Sequence, residues 1–461
     1  MNLAAATLAE LRTLLDTKKI SSSELVDFFR ARIEKHNPKL NVYLTVCDPE
    51  SAAGTGPLAG IPLAIKDNFC TKGIRTTASA KLLDSFISPY DATVISRLKE
   101  AGALVQGKTN MDAWAHGSST ETSDYGPTLN PWDTTRVPGG SSGGSAAATA
   151  AALAPAAIGS ETAGSIRGPA SWCGVIGVKP TYGRVSRYGV IAMGSSLDCP
   201  GPFSRTIEDS ALLLQIIAGK DPFDATSAEE AVPDYTAEMK KKRTFTIGIA
   251  DEYLEGVQED VRKNFDQTKK ELEKMGHTFK KISLIPPKYS ISVYTILQRA
   301  EVSSNLSRYD GIRYGEKRTA FTAEAKRRIM LGTYTLSHGY YDAYYKKAQQ
   351  VRTLLIEDFR RVFRDVDLIM APSGPVTALK LGEFEKYPFF GEIMDVLYEP
   401  GAIAGLPAIS IPTGLDSNSL PIGMQFMANY FSEGALLDIG YQYEQETGFH
   451  GISKQLIDRY A

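Results

Sequence analysis

Cysteine is scarce: Cys47, Cys70, Cys173 and Cys199 are the only four in 461 residues, and none stands in C-x-x-C spacing. They are too few to frame a chain of this length with disulfides, and they point to a reduced, cytoplasmic interior. Histidine is nearly as rare, with five residues, His36, His116, His277, His338 and His450. No H-E-x-x-H pattern or Cys/His cluster is present, so a metal is not expected, and each histidine is expected to be structural. An excess of one charge is also missing: 51 basic and 53 acidic side chains leave a net charge of −2, which argues against this chain alone being a strong nucleic-acid binder. The longest run of small apolar residues, 146–158, is too short to span a bilayer and contains Pro155. The first 19 residues, MNLAAATLAELRTLLDTKK, lack the basic and apolar regions of a signal peptide, and their leucines fall at helical spacing.

What is present fits a large α/β enzyme, read here as one domain over 1–461. Helices are expected at 8–15, from the capping box Ser21-Ser22-Ser23-Glu24 up to Pro38, and at 92–101, 209–218, 260–275, 355–363 and 433–446. Strands are expected at 40–47, 61–65 ending at Lys66, 103–106, 245–250, 367–371, 408–412 and 422–427. The basic run KKKR at 240–243 reads as a solvated turn.

The stretch 137–167, VPGGSSGGSAAATAAALAPAAIGSETAGSIR, stands apart. Two clusters of small residues, 139–145 and 162–165, bracket an Ala-rich run expected to be helical as far as Pro155. Glycine lets backbone amides converge on one point, as an oxyanion site requires, and serine beside such amides is a candidate nucleophile.

Two motif matches mislead. Residues 102–109, GALVQGKT, satisfy G-x-x-x-x-G-K-T, but a helix precedes them and the variable positions read as a strand, the reverse of a phosphate loop. Residues 139–143, GGSSG, satisfy G-x-S-x-G, yet no strand leads into them and no histidine follows in a recognisable setting. Without histidine the base must be another group. Lysine can serve when burial lowers its pKa, ordinarily about 10.4, by about 3 to 5 pH units. Lys66, closing an apolar strand before Asp67 and Asn68, is the candidate.

Together PLAGIPLAIKDNF, VPGGSSGGSAAA, ETAGSIRGPASWCGVIGVKPTYGRVSRYG and PIGMQF resemble the amidase signature family, with the signature core at about 54–210. The spacing agrees: Ser165 follows Ser141 by 24 residues, and Ser141 follows Lys66 by 75. The resemblance implies a large mixed β-sheet covered on both faces by α-helices. It also implies a Ser-Ser-Lys triad in which Ser165 attacks the amide carbonyl and Ser141 relays protons to and from neutral Lys66, through an acyl-enzyme. A cis peptide before Ser141 is implied, as are oxyanion donors in the backbone of Thr162, Ala163, Gly164 and Ser165. Ala163 departs from the usual glycine but keeps the N–H.

Further segments, GKTNMDAWAHGSSTETSDYGPTLNPWD, SSNLSRYDGIRYG and KRRIMLGTYTLSHGYYDAYYKKAQQVRTLL, resemble one branch of that family, the glutamine-hydrolysing subunits of tRNA-dependent amidotransferases. That likeness implies glutamine as substrate, with Arg328 gripping its α-carboxylate, Asp395 its α-ammonium, and Tyr294 lining the pocket. It implies a heterotrimer with B and C subunits, ammonia passing to B. That partner would hold ATP and Mg and handle the tRNA, with no cofactor in this chain and no membrane partner. Compared with that branch, the loop 51–56 and the segment 315–325 are short. A stand-alone amidase on a small carboxamide, or a catalytically silent scaffold subunit, would share much of this sequence.

Overall fold

The structure, a computed structural model, describes residues 2–48, 55–312 and 315–460. Residues 51–54 of the first short loop, and Tyr314 beside the second, lie outside them.

Alternation along the strand Pro62–Lys66 shows how both of its faces are used. Leu63 and Ile65 join a core with Ile95, Leu98, Leu213 and Leu214, whereas Ala64 joins a second core with Ala146, Ala147 and Ala150. Successive side chains point to opposite faces of a sheet. Lys66 therefore falls on the face of Ala64, over the helix that begins in the Gly/Ser cluster.

The strands, in chain order, are β1 Tyr43–Val46, β2 Pro62–Lys66, β3 Leu104–Thr109, β4 Ala157–Glu161, β5 Ile176–Lys179 and β6 Cys199–Ser204. They continue with β7 Thr246–Ala250, β8 Thr278–Ile282, β9 Leu368–Pro372, β10 Ala408–Leu415 and β11 Pro421–Ala428. All belong to one 11-stranded sheet in the order β1-β3-β2-β4-β6-β5-β10-β11-β9-β7-β8. The sheet is mixed: β3, β2 and β4 run parallel, β4 to β9 pair antiparallel through β6, β5, β10 and β11, and β7 is parallel to both β9 and β8. The carboxyl ends of β2, β3 and β4 lie side by side, the position where open α/β sheets bind ligands.

The helix Gly143–Ala150 is wholly buried, and its small residues are what permit this. A Cβ at Gly144 would stand 2.4 Å from the Asn110 carbonyl oxygen. The helix stops five residues short of Pro155. Arg32 donates to the carbonyls of Ala151 and Ala152 at 3.0 and 2.7 Å and satisfies the helix end, while Ala152 turns to φ +50°. The second helix, Ser22–Leu40, instead runs through Pro38. Proline costs a single backbone bond so near the end, and Asn41 at φ +50° closes the helix while Asn37 accepts from the N–H groups of Val42 and Tyr43.

Other expected elements are found with small shifts at their ends. The helix expected at 355–363 is the back half of Lys347–Val362, and β4, β5, β6 and β8 were not anticipated. Within GALVQGKT, residues 104–109 form β3, where buried Lys108 donates to the Phe69 carbonyl at 2.7 Å and to Thr76 Oγ1 at 2.9 Å. Its ammonium is spent inside the protein and does not face a phosphate. Lys240 and Lys241 of the KKKR run form exposed ion pairs, as expected of a solvated turn. Among the described residues no helix is long and apolar enough to cross a membrane.

Candidate active site

Lys66, at the end of β2, is fully buried. Its Nζ lies 2.8 Å from Ser141 Oγ, and it donates to the Ser160 carbonyl and Oγ at 2.9 and 3.1 Å. Burial draws its pKa down from 10.5 to about 7, although the charges of Asp112, Asp198 and Glu161 hold it up. Near neutrality a large share of the amine is uncharged, and the contact to Ser141 can then run from hydroxyl to lone pair.

Ser141 follows a cis peptide, Gly140–Ser141. No side chain fits at Gly140, where a Cβ would lie 2.0 Å from Asp112 Oδ2 and 2.5 Å from the Ser119 nitrogen. Ser165 stands next to this turn, because the Ser142 N–H donates to its carbonyl at 3.3 Å. The Ser165 residue is 6% exposed. Its hydroxyl has no hydrogen-bond partner among the described residues, nor do the N–H groups of Ala163, Gly164 and Ser165. Thr162 donates through Oγ1 to Asp198 at 2.7 Å.

The loop 162–165 keeps this shape because a buried ion pair closes behind it. Glu161 accepts from the N–H groups of Ile166 and Arg167, both at 3.1 Å, and pairs with the Arg167 guanidinium at 2.5 Å. Arg167 also donates to the Ala163 carbonyl at 2.8 Å and to Gln425 Oε1 at 2.5 Å. With that carbonyl turned toward Arg167, the neighbouring amides are left open.

Asp395 abuts the loop: a Cβ at Gly164 would lie 2.7 Å from its Oδ1. Burial pushes its pKa up to about 7, partly offset by the hydrogen bond donated from Ser118. Ser118 lines both the cleft that holds Gly140 and Asp395 and an adjoining cavity of about 800 Å³. Arg328, from the helix Ala323–Thr335, lines that larger cavity. Its Nε donates to Glu324 at 2.5 Å and its Nη2 to Glu392 at 2.9 Å, and Glu392 also accepts from Arg299 at 3.0 Å. Tyr294 is buried on the neighbouring helix Lys288–Asn305. Burial raises the pKa of its hydroxyl well above the ordinary value, and the charges of Arg328, Glu392 and Asp395 act on it.

The structure thus gathers Lys66, Ser141, Ser165, the 162–164 loop and Asp395, and sets Arg328 one cavity away. Sequence reasoning missed Ser160, Asp112, Asp198, Glu392 and the Glu161–Arg167–Gln425 lock. Arg167 directly after the Ser165 turn, and the glutamine of PIGMQF, were visible signals, but spacing alone does not pair positions 258 residues apart. Among the described residues no group of His, Cys, Asp and Glu is arranged to hold a metal ion.

A buried lysine against serine, beside backbone amides without partners, is an arrangement suited to nucleophilic acyl transfer. The amidase family model matches residues 24–437, and the chain belongs to that family. It is 49% identical to the A subunit of glutamyl-tRNA(Gln) amidotransferase from Carboxydothermus hydrogenoformans, over 97% of this chain and 98% of the relative. It is 50% identical to the protein of the same name from Halothermothrix orenii, over 96% and 98%. Among solved structures, the A subunit of glutamyl-tRNA(Gln) amidotransferase from Thermotoga maritima superposes with a TM-score of 0.85 at 40% identity, covering 97% of this chain and 96% of that one. A 6-aminohexanoate cyclic dimer hydrolase complexed with substrate superposes with a TM-score of 0.90 at 25% identity, covering 99% and 100%.

Proposed function

We propose that this chain is the glutaminase subunit of a cytoplasmic tRNA-dependent amidotransferase. It hydrolyses glutamine and supplies ammonia to a partner B subunit. That partner uses ATP and Mg to convert Glu-tRNA(Gln) to Gln-tRNA(Gln), or Asp-tRNA(Asn) to Asn-tRNA(Asn), and a small C subunit braces the pair. Identity near one half along almost the whole chain to proteins named as this subunit supports that reading over a hydrolase of cyclic amides, whose likeness is in shape more than in sequence.

The observation that carries the chemistry is Lys66, fully buried with its Nζ 2.8 Å from Ser141 Oγ, where burial draws its pKa down to about 7. In the proposed reaction Ser165 Oγ attacks the side-chain carboxamide carbon of glutamine. Its proton passes to Ser141, whose own proton passes to Lys66. The amides of Ala163, Gly164 and Ser165, with that of Thr162, receive the oxyanion; one such donor is typically worth about 10² to 10³ in rate. Collapse breaks the C–N bond, the relay returns a proton to the leaving nitrogen, and ammonia departs. Water then enters by the same route and frees glutamate and Ser165. Asp395 complements the substrate ammonium, Arg328 its carboxylate, and Tyr294 walls the pocket between them.

The test is covalent trapping with a serine-directed fluorophosphonate, mapped by peptide mass. An adduct on Ser165 that is absent from Lys66→Ala is the expected result, together with glutamine hydrolysis by the complex that Arg328→Ala selectively damages. An adduct on Ser141 would overturn the assignment of the nucleophile. Unchanged glutamine turnover in Arg328→Ala would overturn the assignment of the substrate.

A further inference from the structure

His116, expected from sequence to be structural, is 1% exposed, and both of its ring nitrogens lack a hydrogen-bond partner among the described residues. It lines the cavity of about 800 Å³ that also holds Arg328 and Glu392. Buried polar atoms without partners are rare in folded proteins, and a cavity-lining residue with both nitrogens unspent has hydrogen-bonding capacity left for a ligand.

The local backbone holds His116 in place. Trp114 and Ala115, immediately before it, both lie in the left-handed region, at φ +61° and +62°, which residues with a Cβ seldom occupy in succession. The Trp114 N–H donates to the Ala78 carbonyl at 2.9 Å, and its ring packs on Tyr309 and Phe321 at 4.9 and 5.4 Å. The His116 N–H donates to the Ala113 carbonyl at 3.0 Å, and Thr122 Oγ1 donates to the His116 carbonyl at 3.2 Å. The N–H and carbonyl of His116 are therefore engaged while its imidazole is not. Burial, with the charges of Arg328 and Arg299, keeps the ring neutral, with one donor and one acceptor.

Two residues on, Ser118 lines both this cavity and the cleft with Gly140 and Asp395. A ligand whose carboxylate reaches Arg328 enters the cavity whose wall His116 also forms. We infer that His116 is a substrate-binding residue whose ring N–H donates to the carboxylate that Arg328 attracts, and so helps select an α-amino acid amide over a plain carboxamide. This rests on the glutaminase reading above.

The test uses the assembled complex and two probes: glutamine, and 4-aminobutanamide, which is glutamine without its α-carboxylate. His116→Phe should raise KM for glutamine about tenfold with kcat within twofold of wild type, and leave kcat/KM for 4-aminobutanamide unchanged. His116→Asn, which restores an N–H, should recover most of the loss. His116→Met is the second apolar variant should His116→Phe not fold, with fluorophosphonate labelling of Ser165 reporting an intact site. An unchanged glutamine KM, or an equal loss on both probes, would overturn the inference. If wild type labels at Ser165 yet does not hydrolyse glutamine, the glutaminase reading falls first and this inference with it.

Discussion

At the scale of single residues, two buried groups titrate where the enzyme must work. Lys66 and Asp395 both stand at about 7, one lowered and the other raised, and each by burial first. In the proposed mechanism both must be deprotonated in the free enzyme. The expected pH profile of kcat/KM therefore falls below pH about 7 with a logarithmic slope approaching two, whereas kcat, measured with the substrate ammonium already paired to Asp395, falls with a slope of one. Asp395→Asn should reduce the kcat/KM slope to one and raise KM for glutamine, and steady-state kinetics from pH 5 to 9 checks both. Lys66→Ala should lower kcat about 10³-fold. Lys66 also links to stability: the unfolded chain binds its proton up to 10.5, the folded one only to about 7, so between those values this group adds stability as pH rises. Lys66 was legible in the sequence because a lysine closing an apolar strand is conspicuous. Glu392 was not, because a glutamate in PFFGEIMD carries no local sign that Arg299 and Arg328 will meet it.

At the scale of elements, the loop between β4 and the helix Arg167–Cys173 carries the site, and it is held from behind. Glu161→Gln would leave Arg167 buried with its charge unpaired, which should destabilise the fold by about 3 to 5 kcal/mol, read as a fall in the urea midpoint. Gly164→Ala tests the loop from the front. The new Cβ would meet Tyr398 Cδ2 at 2.5 Å and Asp395 Oδ1 at 2.7 Å, so loop and amides must shift; kcat should fall at least about 10²-fold, and fluorophosphonate labelling of Ser165 should slow in parallel. Elements whose patterns answer to one environment were readable, as with the helices Leu8–Asp16 and Glu259–Lys274. The end of the Ala-rich helix was hidden, because Arg32, more than a hundred residues earlier, supplies the groups that stop it. Strand β6, CPGPFS, was hidden by its two prolines, although it lies between β4 and β5.

At the scale of the whole molecule, the α/β class followed from alternating patterns, but the strand order did not, since pairings such as β5 with β10 join residues more than two hundred positions apart. The proposed division of labour makes one prediction here. A complex carrying Ser165→Ala should lose amidation driven by glutamine yet keep ATP-dependent amidation of charged tRNA when ammonium chloride is supplied, because only the ammonia source is removed. Loss of both activities would place a second function of this chain in the acceptor reaction.

The sheet order has a consequence for how the protein is born. Strands β10 and β11, the last in chain order among the described residues, fill the middle of the sheet between β5 and β9, and Gln425 on β11 completes the hold on Arg167. A nascent chain cannot close its centre until these residues leave the ribosomal exit tunnel, so folding waits on contacts of long sequence separation. Under the proposed mechanism, a nascent chain still lacking these strands is therefore expected to leave glutamine untouched, because the loop that carries Ser165 is not yet braced.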